Sequence, residues 1–136
     1  KVELSDARLT DEAQLASLAG DTPEKLYESH FQASVKIRNI GGYDTEEVVE
    51  AYVKDLKSPY AVKNHSLCGF KRISLKAGEE QEVTLTIPTR AFLAVDEKGQ
   101  YFLDSDAFTL YLGVSQPDEV SVGLCGVKPL EISIVL

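Results

Sequence analysis

Phe31, Ala33, Val35 and Ile37 alternate with Gln32, Ser34, Lys36 and Arg38, the period-2 pattern of a strand with one face on a core and the other in water. The same alternation returns at Val49, Ala51 and Val53, at Val83, Leu85 and Ile87, at Phe108, Leu110, Leu112 and Val114, and at Ile132, Ile134 and Leu136. Val2 and Leu4 open the chain in the same rhythm, and Ala7 and Leu9 resume it after one slipped position. That slip predicts an edge strand carrying a β-bulge.

Turn chemistry separates these runs. Asn39-Ile40-Gly41-Gly42 offers residues tolerant of positive φ, and Pro88 stops the Val83 run. Lys76-Ala77-Gly78-Glu79 between Leu67–Leu75 and Val83–Ile87 predicts a hairpin, and Asp96-Glu97-Lys98-Gly99 a smaller one between Ala94-Val95 and Tyr101-Phe102. Thr89 to Leu93 reads as a helical turn. Helix signals otherwise gather near the N-terminus. Thr10 can cap a short helix from Asp11 to Ala19 with Gly20 as its stop, and Thr22-Pro23 restarts the signal. With few apolar positions, 10–28 is expected to be a surface insertion outside the core. Residues 55–66 read as a long loop. Seven or so short strands with almost no helix predict an all-β, two-sheet antiparallel sandwich of immunoglobulin-like type, with residues 1–136 as one domain.

Composition narrows the partners. The 136 residues contain 14 Lys and Arg against 22 Asp and Glu, a formal charge of −8, which disfavours nucleic acid because binding there depends on basic groups neutralising phosphates. No apolar run approaches a membrane span and no basic amphipathic stretch suggests surface attachment, so no membrane partner is expected. The compartment stays open. Cys68 and Cys125 form no CxxC unit and are expected as two free thiols, Cys125 in a Gly-flanked loop. A chain with no Met that opens at Lys1 is expected to be a piece of a longer protein.

Candidate chemistry is sparse. Glu46-Glu47, Glu79-Glu80, Asp96-Glu97 and Asp104/Asp106 are carboxylate pairs, but a glycosidase needs two carboxyls facing across a substrate with their pKa values pushed apart. Turn spacing meets neither demand, so these read as solvated loop charge. Asp104-Ser105-Asp106 lacks the glycine and glutamate of a calcium loop, and His30 and His65 lack partners at zinc spacing. No cofactor or metal is expected, and no catalytic residue is assigned. Tyr52, Tyr60, Tyr101 and Tyr111 are the candidate sugar platforms, with Tyr52 and Tyr111 on the outward parity of their strands. If Ile73 and Leu75 point inward, Phe70 and Arg72 point out together, unless a bulge at Gly69 reverses Phe70.

The ordered set Asn39-Ile40-Gly41, Glu47-Val48-Val49 with Ala51-Tyr52-Val53, Leu67-Cys68-Gly69-Phe70-Lys71-Arg72, Ala77-Gly78-Glu79 and Gly113-Val114-Ser115 resembles the fibronectin III-like C-terminal module of family 3 glycoside hydrolases. Glu3-Leu4-Ser5-Asp6 resembles that module's first strand. Two positions depart from the family: Ser58-Pro59-Tyr60 replaces an Arg-Pro-Lys-like run, and Asp106-Ala107 stands where glycine is usual.

The resemblance implies a fibronectin III-like sandwich without its own catalysis, attached to an enzyme that hydrolyses β-linked glucosides or xylosides through residues in preceding domains. Its implied partners are those catalytic domains of the same chain, which it packs on and stabilises, with indirect contact of the 55–69 loop to a β-glucoside. Candidate interface residues are Tyr60, Lys63, Leu67, Phe70 and Arg72. Two rival roles remain, a carbohydrate-binding module and a protein-interaction sandwich, since fold alone does not settle function.

Overall fold

The computed structural model describes residues 1–9, 20, 22–58 and 65–136. Its elements are β1 (Val2–Leu9), α1 (Pro23–Glu28), β2 (His30–Asn39), β3 (Thr45–Asp55), β4 (Ser66–Leu75), β5 (Glu80–Pro88), a 3₁₀ turn (Thr89–Phe92), β6 (Ala94–Val95), β7 (Tyr101–Phe102), β8 (Ala107–Gly113), α2 (Glu119–Cys125) and β9 (Leu130–Val135). A three-stranded sheet, β1-β2-β5, faces a four-stranded sheet, β4-β3-β8-β9, and β6-β7 forms a separate hairpin. All pairings are antiparallel. This is the two-sheet sandwich that the alternation predicts.

The alternating sets supply the core. Phe31, Val35 and Ile37 from one sheet, and Val49, Phe108, Leu110 and Leu112 from the other, are buried. Phe92 of the 3₁₀ turn closes one end, its ring 5.2 Å from Phe31 and 4.9 Å from Phe108, so one aromatic joins the two sheets. The slip in β1 is a bulge. Pairing with β2 shifts between Ser5 and Arg8, and Asp6 there adopts φ 51°.

Four expectations change. β4 and β5 are not a hairpin: β4 lies in the four-stranded sheet and β5 in the other, so the turn through Gly78, at φ 80°, carries the chain across the sandwich. Gly41 and Gly42 do not use positive φ. Gly41 sits in close quarters, since a Cβ there would stand 3.3 Å from both Asn39 Oδ1 and the Lys1 nitrogen, and these would have to give by a few tenths of an ångström. Cys125 ends helix α2, capped by Asp118 and stopped by Gly126 at φ 73°, where a loop was expected. In the 10–28 stretch, the expected first helix lies on residues outside those described, but Leu26 of α1 is only 3% exposed and belongs to the core cluster. Thr22 caps α1 by accepting from the Lys25 backbone N–H, with Pro23 in the first turn. That stretch therefore reaches the core at Leu26.

Candidate functional site

The outward face of the four-stranded sheet is built by strand parity. On β4, Ile73 and Leu75 point inward and are buried, while Phe70 and Arg72 point outward, Phe70 with 69% of its surface exposed. Pairing of Ala51 with Gly69 and of Tyr52 with Leu67 leaves Cys68 unopposed, so the bulge sits at Cys68. It leaves Phe70 outward. Its effect falls on Leu67, which simple alternation from Leu75 would turn inward and which is instead 53% exposed. Cys68 takes the inward place, its thiol donating to the Ala51 carbonyl at 3.3 Å, and burial pushes that thiol up to about 12.

Gly69 explains how close the sheets come under this face. A Cβ there would lie 3.3 Å from the Thr86 carbonyl oxygen of β5 in the opposite sheet. Lys71 follows the inward parity yet is exposed, because β4 is the sheet's edge. A charge on that parity at an edge discourages strand-to-strand association.

Three rows cross the face. Arg72 lies opposite Val48, Phe70 opposite Glu50, and Leu67 opposite Tyr52, which continues to Tyr111 and then Glu131. The Tyr52 hydroxyl donates to Glu50 Oε2 at 3.3 Å, and burial with that carboxylate raises its pKa. Burial and Glu131 raise Tyr111 likewise. The His65 ring meets Tyr111 edge-on at 4.7 Å, and partial burial, assisted by Lys54, lowers its pKa against the pull of Asp118 and Glu131. The face is thus aromatic along its middle and apolar-cationic along its β4 margin. Among the described residues of the face, none pairs a nucleophile with a base.

The candidate interface residues divide. Leu67, Phe70 and Arg72 share this face, whereas Tyr60 and Lys63 lie outside the described residues. Of the tyrosines, Tyr52 and Tyr111 sit together on the face, and Tyr101 lies elsewhere, on β7 against Tyr27. The carboxylates hold loops. Asp104 accepts from the Ser58 hydroxyl, Asp106 from Lys57 Nζ at 2.7 Å, and Asp96 from the Lys98 and Gln100 backbone N–H groups. Sequence reasoning passed over two features: the Tyr27–Tyr101 contact, which joins residues far apart in the chain, and the apolar surface of α2, where Val120 and Leu124 are 72% and 85% exposed. The Asp118 cap and Gly126 stop were the available signals for α2.

The profile of the fibronectin type III-like domain matches residues 47–116, more than half of the chain. The chain belongs to that family. This fibronectin type III-like domain is 32% identical over 108 residues to the thermostable β-glucosidase B of Acetivibrio thermocellus, a match covering 79% of the chain and 14% of the relative. It is also 32% identical over 83 residues to an exo-α-(1→6)-L-arabinopyranosidase of Bifidobacterium breve, covering 60% of the chain and 11% of the relative. Among solved structures, the β-D-glucoside glucohydrolase of Trichoderma reesei superposes with a TM-score of 0.74 at 18% identity, over 99% of the chain and 18% of that protein, which speaks for the fold alone. The domain therefore spans about one seventh of the length of the first of these relatives.

Proposed function

We propose that this domain is a non-catalytic accessory module of a family 3 glycoside hydrolase, packing on the enzyme's preceding catalytic domains and stabilising them. The observation that carries the reading is the lopsided match: four fifths of this chain corresponds to one seventh of a β-glucosidase. Leu67, Phe70 and Arg72 form its contact margin. Phenylalanine and arginine are among the residue types enriched in protein–protein interfaces, and Phe70 and Arg72 stand side by side on this margin. Similarity to both a glucosidase and an arabinopyranosidase fits a module that does not choose the sugar. Contact of the 55–69 loop with a β-glucoside in the parent's cleft belongs to the same proposal.

The experiment is a paired substitution. Phe70→Lys, which places a cation opposite Glu50, should in the full-length gene product lower the temperature at which glycosidase activity is lost, by several degrees. In the 136-residue chain alone it should leave the melting point almost unchanged, since Phe70 is already exposed there. Equal effects in the two contexts, or a gene that encodes no glycosidase domain, would sink the reading.

A further inference from the structure

At the end of the sandwich away from the Asn39 turn, α1 and the β6-β7 hairpin flank an open cleft of about 500 Å³, lined among the described residues by Glu24, Tyr27, Glu28, Gly99, Gln100 and Tyr101. Its size falls within the range of small-molecule sites, roughly 300–1,000 Å³. Tyr27 and Tyr101 come from elements far apart in sequence, yet their rings meet at 5.0 Å with a 56° tilt. Each keeps more than two fifths of its surface exposed, at 43% and 41%. Aromatic surface brought together but left in water is poised to cover something.

Both walls are held before any ligand arrives. Leu26 plants α1 in the core and Thr22 caps it. Across the cleft, Asp96 Oδ1 accepts from the backbone N–H groups of Lys98 at 2.8 Å and Gln100 at 2.9 Å, and the Asp96 N–H donates to the Gln100 carbonyl at 3.0 Å. Gly99 turns the chain at φ 77°, a conformation other L residues rarely adopt. A rigid turn loses little entropy on binding.

The lining selects a ligand chemistry. Two carboxylates, Glu24 and Glu28, disfavour an anion. The Arg90 guanidinium lies 5.8 Å from the Tyr27 ring centre, so that ring already has its cation and Tyr101 is the ring left for a ligand. A wholly apolar ligand would bury Glu24, Glu28 and the Gln100 amide without partners. An uncharged ring with C–H faces and peripheral hydroxyls suits this lining: one face rests on Tyr101, and its hydroxyls donate to the carboxylates and exchange hydrogen bonds with the Gln100 amide. We propose that the cleft between α1 and the β6-β7 hairpin is a saccharide-binding subsite. It stands independently of the accessory role, for it lies on different elements from the β4 margin.

The test is an amide-resolved NMR titration of the 136-residue chain, in separate arms, with glucose, xylose, cellobiose and N-acetyl-arginine amide. At least one sugar should shift the Gly99 and Gln100 amides saturably, with a dissociation constant on the order of 1–10 mM. Tyr101→Ala should weaken that binding about tenfold, and Tyr101→Phe, which keeps the ring, should retain most of it. Three outcomes overturn the proposal: no saturable shift at those amides with any sugar, equal binding by the folded Tyr101→Ala chain, or saturation by the arginine derivative in place of the sugars.

Discussion

Asn39 is a buried polar residue whose side chain reaches both sheets, and replacing it gives a sharp test. Its side chain is fully buried at the end of β2. Nδ2 donates to the Tyr43 carbonyl at 2.7 Å and, more weakly, to the Leu75 carbonyl at 3.4 Å, while Oδ1 accepts from the Gly41 N–H at 3.0 Å. β2 belongs to one sheet and Leu75 to the other, so one amide group shapes the β2–β3 turn and ties the sheets together. Asn39→Ala removes two well-formed bonds worth roughly 1 kcal/mol each and leaves buried groups unpaired, a further 1–2 kcal/mol or so. A loss of about 3 kcal/mol is a large share of a domain's typical 5–15 kcal/mol. For a chain of this size it should lower Tm by roughly 10 °C and the urea midpoint by about 1–2 M.

Asn39→Asp discriminates the donors from the acceptor. At neutral pH the carboxylate can still accept from Gly41 but faces two carbonyls it cannot serve, so it should be at least as damaging as alanine. Those carbonyls and the burial would raise its folded pKa above the unfolded value. Stability should therefore be regained as pH falls, when the protonated acid can donate, and lost again as pH rises through the raised pKa. Urea unfolding followed by circular dichroism at several pH values measures both variants. A loss below about 1 kcal/mol for alanine, or an aspartate as stable as the parent at pH 7, would refute the account.

Four further outcomes follow from the structure. Leu26→Ala should destabilise by about 2–4 kcal/mol in chemical denaturation, because the side chain is in the core; a change under about 0.5 kcal/mol would return α1 to the surface. A thiol reagent should label only exposed Cys125 in the native chain and both cysteines after unfolding, since buried Cys68 holds its proton up to about 12; rapid native labelling of Cys68 would contradict the inward bulge. His65 should titrate below 6.5 in proton NMR. With a depressed folded pKa it favours folding fully only above the unfolded value, and that contribution is lost as pH falls through 6.5 toward the folded pKa; a shift above 6.5 would mean that Asp118 and Glu131 outweigh burial. Phe70→Ala should change the stability of the 136-residue chain by no more than about 0.5 kcal/mol, as calorimetry would show.

Strand identity was legible because alternation reports a physical asymmetry of the pleat. Phe31 through Ile37 and Val83 through Ile87 are buried where the sequence alternates. Strand partnership was much less legible. Gly78 announces a reversal of the chain, but the same reversal serves a hairpin or a crossing between sheets, and only long-range pairing of β5 with β2 decides. The β4 margin was half readable: parity from Ile73 and Leu75 places Phe70 and Arg72 outward, while the outward turn of Leu67 depends on the bulge at Cys68. Helix α2 escaped the apolar pattern because Val120 and Leu124 do not turn toward the core. The Tyr27–Tyr101 contact has no local signal at all.

The crossing of the chain from β4 to β5 has a consequence for what counts as a unit. The stretch that carries the family's signature, residues 47–116, runs from within β3 to just past β8 and contains only one strand of the three-stranded sheet. That strand, β5, is hydrogen-bonded to β2, which precedes the signature. Cut out by its signature, the module would keep an isolated β5 and face half its core with water. The boundary by which evolution's trace is most easily recognised thus falls inside the cooperative unit, and a fusion cut at residue 47 would part β5 from β2, its hydrogen-bonded partner.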